Sequence, residues 1–357
     1  MDHQLRRSAL VERMGDLQID ALLVTHLPNV RYLTGFTGSS GAALLSADRT
    51  IFVTDGRYGE QSRRETGNIE RAISLDGLDS AIAEHASQLG TRRLGFEEAH
   101  VTVATHRRLD ESLGDVELVG VDGAVEALRA GKDGEELRAI QRAQQATDEA
   151  FDRVLETIAV GVTEQQVARE LERLLRGEGA SELAFDSIVA FGECAAEPHH
   201  RPGHRVLEEG DVIKLDFGAR WDGYHSDMTR TVAFGSPAAE LRKIHDVVRQ
   251  AQQAGIDAVR AGASCRDVDA AARSVIEDAG YGERFSHGLG HGVGLEIHES
   301  PWLRRAGDGE LPAGAVVTVE PGVYVPGLGG VRIEDMVEVT DDGSRVVGTS
   351  TRELIEL

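Results

Sequence analysis

Between Phe285 and Glu299 the chain reads FSHGLGHGVGLEIHE, placing His287, His291 and His298 among glycines at 288, 290, 292 and 294. Glycine at those points lets backbone approach a ligand and leaves the imidazoles room to converge. Four carboxylates complete the chemistry: Asp216 in GDVIKLDFG, Asp227 in HSDMTRTVAF, Glu320 in TVEPG and Glu334 in VRIEDMVEV. Four such groups on facing strands cannot all stay ionised in a partly buried site without compensation. Raised pKa values, cationic side chains and metal ions are the available remedies. One imidazole with several carboxylate oxygens suits Mn2+, Co2+, Fe2+ or Zn2+ better than a thiolate site would. Two bridging and two capping carboxylates would hold two ions about 3.5–4 Å apart, and a water shared between them would become a hydroxide nucleophile at neutral pH.

The elements that must position these residues show an internal echo. Gly210–Ala219 overlays Gly314–Val323, each reading as a strand that ends in a carboxylate, Asp216 or Glu320, followed by one residue and a glycine. A second short strand with another carboxylate follows each, at Asp227 and at Glu334. Helical regions precede both segments, at 135–176 and 237–279, so two αβ halves are expected to face each other around a pseudo-twofold axis. Within the first region a helix over 135–158 ends at Gly161, and Thr163 with Gln166 forms a capping-box signature for the next. The front of the chain alternates differently. Helices over 5–18, 58–65 and 76–89 are interleaved with strands at 21–25, 42–45, 50–54, 93–96 and 117–119, which predicts a small, covered α/β sheet. A boundary falls in the glycine-bearing segment 121–135, giving domains 1–128 and 129–357.

Length and composition agree with two soluble domains: 357 residues at about 150 per domain. The 61 acidic residues outnumber 38 basic ones for a net charge of -23, which argues against nucleic-acid binding and against docking on an anionic membrane. Only Lys132, Lys214 and Lys243 are lysines, a usage that fits a salt-adapted or GC-rich host. Two cysteines, Cys194 and Cys265, form no disulfide framework, and neither an apolar leader nor a spanning apolar run is seen, so the expected location is cytoplasmic. Cys194 reads as a small buried thiol and His200 and His204 as structural.

The blocks LDFGARWDGYHSDMTRT, HGLGHGVGLEIHE, TVEPGVY and VRIEDMVEV resemble the M24-type metallopeptidases, the family of prolidase, aminopeptidase P and methionine aminopeptidase. The resemblance implies a catalytic domain of the pita-bread fold, an α+β architecture with internal pseudo-twofold symmetry. It implies five metal ligands, Asp216, Asp227, His291, Glu320 and Glu334, with Asp227 and Glu334 bridging, Asp216 on one ion, and His291 with Glu320 on the other. The front segment NVRYLTGFTGSSGAALLSADRTIFVTDGRY resembles the α/β N-terminal domain of prolidase, aminopeptidase P and creatinase. That second match narrows the implied substrate to peptides with proline in second position.

The resemblance also places His199 against the scissile peptide and His298 at the oxyanion or the leaving nitrogen. Glu320 would accept the water proton, Tyr324 and Arg332 would brace the metals or line the pocket, and His287 would stand near the prolyl pocket. Arg304 or Arg305 could clamp a free substrate carboxylate, but they lie in a region where the family varies and are assigned no role in the site. The expected activity is that of an Xaa-Pro dipeptidase, with two divalent ions per subunit, Mn2+ first, acting on short proline-containing peptides as a homodimer. Aminopeptidase P, acting on longer peptides, is the alternative. Two readings of other classes are a metal-free, creatinase-like amidinohydrolase and a non-catalytic binding module; both normally lack ligands that are all present here.

Overall fold

Short apolar runs bounded by turn residues become strands in this chain, and longer amphipathic stretches become helices. The structure, a computed structural model, describes residues 1–357 with the exception of residue 178. It divides into two compact units, Met1–Arg129 and Ala130–Leu357.

The first unit is an α/β layer built on one six-stranded sheet. Its strands are β1 (Ala21–Val24), β2 (Ala42–Ser46), β3 (Thr50–Asp55), β4 (Glu70–Ser74), β5 (Arg93–Glu97) and β6 (Glu117–Val121), in the order β4-β3-β2-β1-β5-β6. The β1–β2 and β2–β3 pairs are antiparallel, whereas β3–β4, β1–β5 and β5–β6 are parallel. Parallel neighbours need crossovers. Among the helices, α1 (His3–Leu17) and α2 (Leu27–Thr34) flank β1, while α3 (Gly59–Glu65), α4 (Leu78–Gln88) and α5 (Val103–Leu113) lie between successive later strands. Three of these elements were not expected from sequence. α2 is short and carries Pro28 in its first turn, β4 (ERAIS) buries no residue, and α5 buries only Leu109 and Leu113, so none shows a strong apolar period.

The short α6 (Glu126–Ala130) leads into the second unit, where the echo becomes two matching halves. In the first half, the helices α7 (Gly134–Leu155) and α8 (Glu164–Gly177) precede β7 (Glu182–Leu183), β8 (Ile188–Phe191), β9 (Val212–Phe217), β10 (Ala219–Trp221), β11 (Tyr224–His225) and β12 (Met228–Ala233). The expected capping box is formed: the Thr163 N–H donates to Gln166 Oε1 (2.9 Å) and the Gln166 N–H to Thr163 Oγ1 (3.3 Å). In the second half, α9 (Ala239–Ala258) and α10 (Cys265–Asp278) precede β13 (Gly290–Gly292), β14 (Glu299–Leu303), β15 (Val316–Val319), β16 (Gly322–Val325), β17 (Gly329–Arg332), β18 (Asp335–Val339) and β19 (Ser344–Val346).

The central strands correspond. β9 lies between β8 and β12, and β15 lies between β13 and β18, every pair antiparallel. Asp216 is the penultimate residue of β9 and Glu320 directly follows β15, while Asp227 and Glu334 directly precede β12 and β18. Each half has its own apolar core. One joins α7 and α8 to β8, β9 and β12 through residues such as Phe151, Leu171, Phe191 and Phe217; the other joins α9 and α10 to β14–β18 through residues such as Ile244, Val268, Leu303, Val317 and Val337. No helix among the described residues is long and apolar enough to cross a membrane.

Candidate active site

The strand ends of both halves bring the predicted carboxylates and His291 together. One donor atom each from Asp227, His291 and Glu334 lies within 4.8 Å of the others. His291 Nε2 is 3.3 Å from Glu320 Oε1 and 3.6 Å from Asp227 Oδ2. The His291 backbone N–H donates to Thr318 Oγ1 (3.1 Å), which pins β13 to β15. Its ring Nδ1 is 3.1 Å from the Gly292 carbonyl, an acceptor only, so Nδ1 carries a proton and Nε2 is the nitrogen that faces the carboxylates. Asp216 lies beside them, accepting a hydrogen bond on Oδ2 from Arg332, while its Oδ1 is buried with no hydrogen-bond partner. Thr229, opposite Asp216 in the β9–β12 register, donates through Oγ1 to Glu334 Oε2 (2.7 Å).

The electrostatics of this cluster call for positive charge. Asp216, Asp227, His291 and Glu334 are between 2% and 7% exposed. Burial, and then the charges of Glu334, Asp216 and Glu320, push the Asp227 carboxyl well above its ordinary range. Burial does the same to Glu334, with Glu320 and Asp216 adding to it. Asp216 is also raised by burial, against the opposing pull of Arg332. Glu320 behaves oppositely: burial would raise it, but a protonated His291, through its hydrogen bond and its charge, holds it down to about 2. A cluster of acids that resist ionisation, with an orphaned carboxylate oxygen and an imidazole Nε2 aimed inward, has the donor set and electrostatic need of a divalent metal centre.

The remaining predicted residues occupy a cleft of about 910 Å³ within the second unit, lined by His199, His287, His298 and Arg332 together with all five carboxylate and histidine positions. The His298 ring lies 4.3 Å from that of His291, centroid to centroid, and burial lowers its pKa so that it stays neutral. Tyr324 is not on the cleft wall but behind it. Arg332 donates to the Tyr324 hydroxyl (2.9 Å), which therefore donates to His287 Nε2 (2.9 Å), and His287 Nδ1 donates to the Gly288 carbonyl (2.8 Å). Both His287 nitrogens are thus engaged by protein, and its ring rather than a nitrogen is left to meet a ligand.

Several supporting residues had no assigned role in the sequence reading. Lys214, fully buried in β9, donates from Nζ to the carbonyls of Ala195 (3.1 Å), Glu197 and Pro198 (3.4 Å), and Arg332 also donates to that of Pro198 (3.2 Å). The two cations hold the segment that carries His199. A lysine inside the apolar run VIKLDF was the signal for it. Asp269 and Arg273 form a buried pair on α10; Asp269 accepts the Leu289 N–H (3.0 Å) and Arg273 donates to the carbonyl of His287 (2.7 Å), which anchors the glycine-rich segment. Arg304, considered from sequence as a carboxylate clamp but not assigned that role, lines the cleft with its guanidinium 5.7 Å from the Trp302 ring centroid, whereas Arg305 pairs with Glu277.

Fold and site together define the class. The chain belongs to metallopeptidase family M24, whose model matches residues 138–341, and the Creatinase/Prolidase N-terminal domain matches residues 6–130. It is accordingly a metal-dependent peptidase. Over full length it is similar to an Xaa-Pro dipeptidase from Bacillus anthracis, at 40% identity and a TM-score of 0.97 with 100% of both chains covered. An Xaa-Pro dipeptidase of Pyrococcus horikoshii is 34% identical over 97% of each chain. An X-Pro aminopeptidase from Thermotoga maritima is 35% identical with a TM-score of 0.90, over 97% of this chain and 100% of that one.

Proposed function

We propose that the protein is a dinuclear Xaa-Pro dipeptidase that releases the N-terminal residue from short peptides with proline in second position. The observation that carries the metal centre is the buried convergence of Asp227, His291 and Glu334, with Asp216 and Glu320 beside them. Asp227 and Glu334 would be shared between two ions, Asp216 would serve one of them, and His291 with Glu320 the other. When bound, the two ions polarise the scissile carbonyl and lower the pKa of a shared water to supply the nucleophile. Ligand hardness favours Mn2+.

The chain's own residues do the rest. Neutral His298 donates a hydrogen bond to the carbonyl oxygen as it gains charge, and His199 contacts the scissile peptide. Glu320 takes the proton released by the water. Arg332 fixes Asp216 and, through the Tyr324 hydroxyl, the tautomer of His287, whose ring faces the proline.

Dipeptide preference is supported by the names of two of the three relatives above and by Arg304, a cation on the cleft wall available to a free carboxylate. A sequence with only two cysteines supports a reducing, cytoplasmic location, and the family resemblance supports a homodimer. Comparing kcat/KM for an Xaa-Pro dipeptide and the corresponding Xaa-Pro tripeptide tests the specificity. The dipeptide is expected to be the better substrate, and Arg304→Ala is expected to narrow the difference by raising KM for the dipeptide. A tripeptide preference in the unmodified protein overturns the dipeptidase assignment in favour of an aminopeptidase.

A further inference from the structure

His200 follows His199 in sequence and shares the cleft wall, yet its partners belong to a different cluster. Its Nε2 lies 2.9 Å from Glu164 Oε2, and its Nδ1 lies 2.8 Å from Glu197 Oε2. Glu164, in the first turn of α8 and only 1% exposed, is held rigidly, its Oε1 accepting the Phe191 N–H (2.9 Å) and its Oε2 the Gly203 N–H (2.9 Å). Cys194, on the 3-10 turn Gly192–Ala196, completes the group: its sulfur and one donor atom each from Glu164 and His200 lie within 4.8 Å of one another.

We propose that Glu164, Cys194 and His200 form an auxiliary metal site, separate from the cleft carboxylates, for a thiophilic divalent ion such as Zn2+ or Co2+. A thiolate, an imidazole and a carboxylate are the donor set such ions favour, and it is softer than the oxygen-rich set in the cleft. Glu197 supplies the outer carboxylate that fixes a ligating histidine, accepting from Nδ1 and leaving Nε2 to the ion. Two backbone N–H groups already orient the Glu164 carboxylate, so little reorganisation is needed.

The protons are in place to be displaced. Burial opposes charge on His200, but its hydrogen bonds to Glu197 and Glu164 outweigh it and raise the imidazole pKa. Burial, and then the charge of Glu164, raise the Cys194 thiol. The other charged groups acting on the cluster are Glu193, Glu197 and Arg205, the last paired with Asp211 at 2.6 Å. Binding an ion releases the thiol proton and the second imidazole proton to solvent, so affinity rises with pH. An ion held here would tie the turn bearing Cys194 and the helix α8 to the cleft wall beside His199.

The test is optical and independent of peptidase activity. The full-length protein, loaded with two equivalents of Mn2+, is titrated with Co2+ and followed in the near ultraviolet for thiolate-to-cobalt charge transfer. None of the cleft residues assigned to metal is a cysteine, so ions in the cleft give no such band. The expected result is a band that saturates at a single Co2+ per chain, strengthens at alkaline pH, disappears in Cys194→Ser and needs about tenfold more Co2+ in His200→Gln. Absence of the band at excess Co2+ overturns the proposal, as does its persistence in Cys194→Ser, which would point to Cys265. His200→Gln covers the case in which the cysteine variant is unstable, and an unchanged titration in that variant removes His200 from the site.

Discussion

Asp227 stands where three other acids converge, and burial makes each additional negative charge costly. A ligand shared by two ions has a distinctive consequence: its loss empties both positions. Asp227→Ala is expected to reduce bound metal, measured by elemental analysis after gel filtration, from two ions per chain towards none. Retention of two ions would remove Asp227 from the bridging position. At this scale the chemistry was largely legible: residue type and spacing singled out the four carboxylates and the histidine-rich segment, the family resemblance chose His291 among its three histidines, and the structure brings all five positions to one cleft. What was hidden is partnership across long sequence separations. Nothing local pairs His200 with Glu164, 36 residues away, or points Arg304 into the cleft, since a side chain's role there depends on which strands the fold lays side by side.

The elements hold these residues with little tolerance. Gly290 opens β13, and a Cβ built there would sit 1.9 Å from the Thr318 carbonyl oxygen of β15. Gly290→Ala therefore must push β13 away from β15 and take the adjacent His291 with it. Metal affinity, measured by competition with a chromogenic chelator, is expected to fall at least about tenfold, and unchanged affinity would show that strand spacing does not set the ligand geometry. A second prediction concerns α9, where burial holds the His245 imidazole down to about 4. The unfolded chain takes up this proton below about pH 6.5 and the folded chain only near 4, so stability is lost as pH falls through that interval. The loss amounts to about 2 kcal/mol at pH 5, and His245→Leu is expected to flatten the slope of urea-unfolding free energy between pH 7 and 5. An unaltered slope would contradict the buried, neutral imidazole. Helices with a continuous apolar face, such as α7 and α10, were legible from periodicity; β7 and β11, two residues each, carry no period to read.

Across the molecule, the internal echo was the most informative feature of the sequence. Two helix pairs, two central strands and two pairs of carboxylates recur in the same order, and the second unit realises them as two halves with separate cores. The net charge of -23 is an apparent excess that the site partly explains, since four of the acids are grouped where divalent ions would neutralise them. The central claim is that hydrolysis of an Xaa-Pro bond depends on ions held by that group. The most direct measurement is the rate of dipeptide hydrolysis by one preparation as isolated with Mn2+, after exhaustive chelation and dialysis, and after Mn2+ is returned. Activity is expected to be lost on metal removal and recovered on its return, in step with two ions rebound per chain. Undiminished hydrolysis of the dipeptide by the metal-free protein would contradict it.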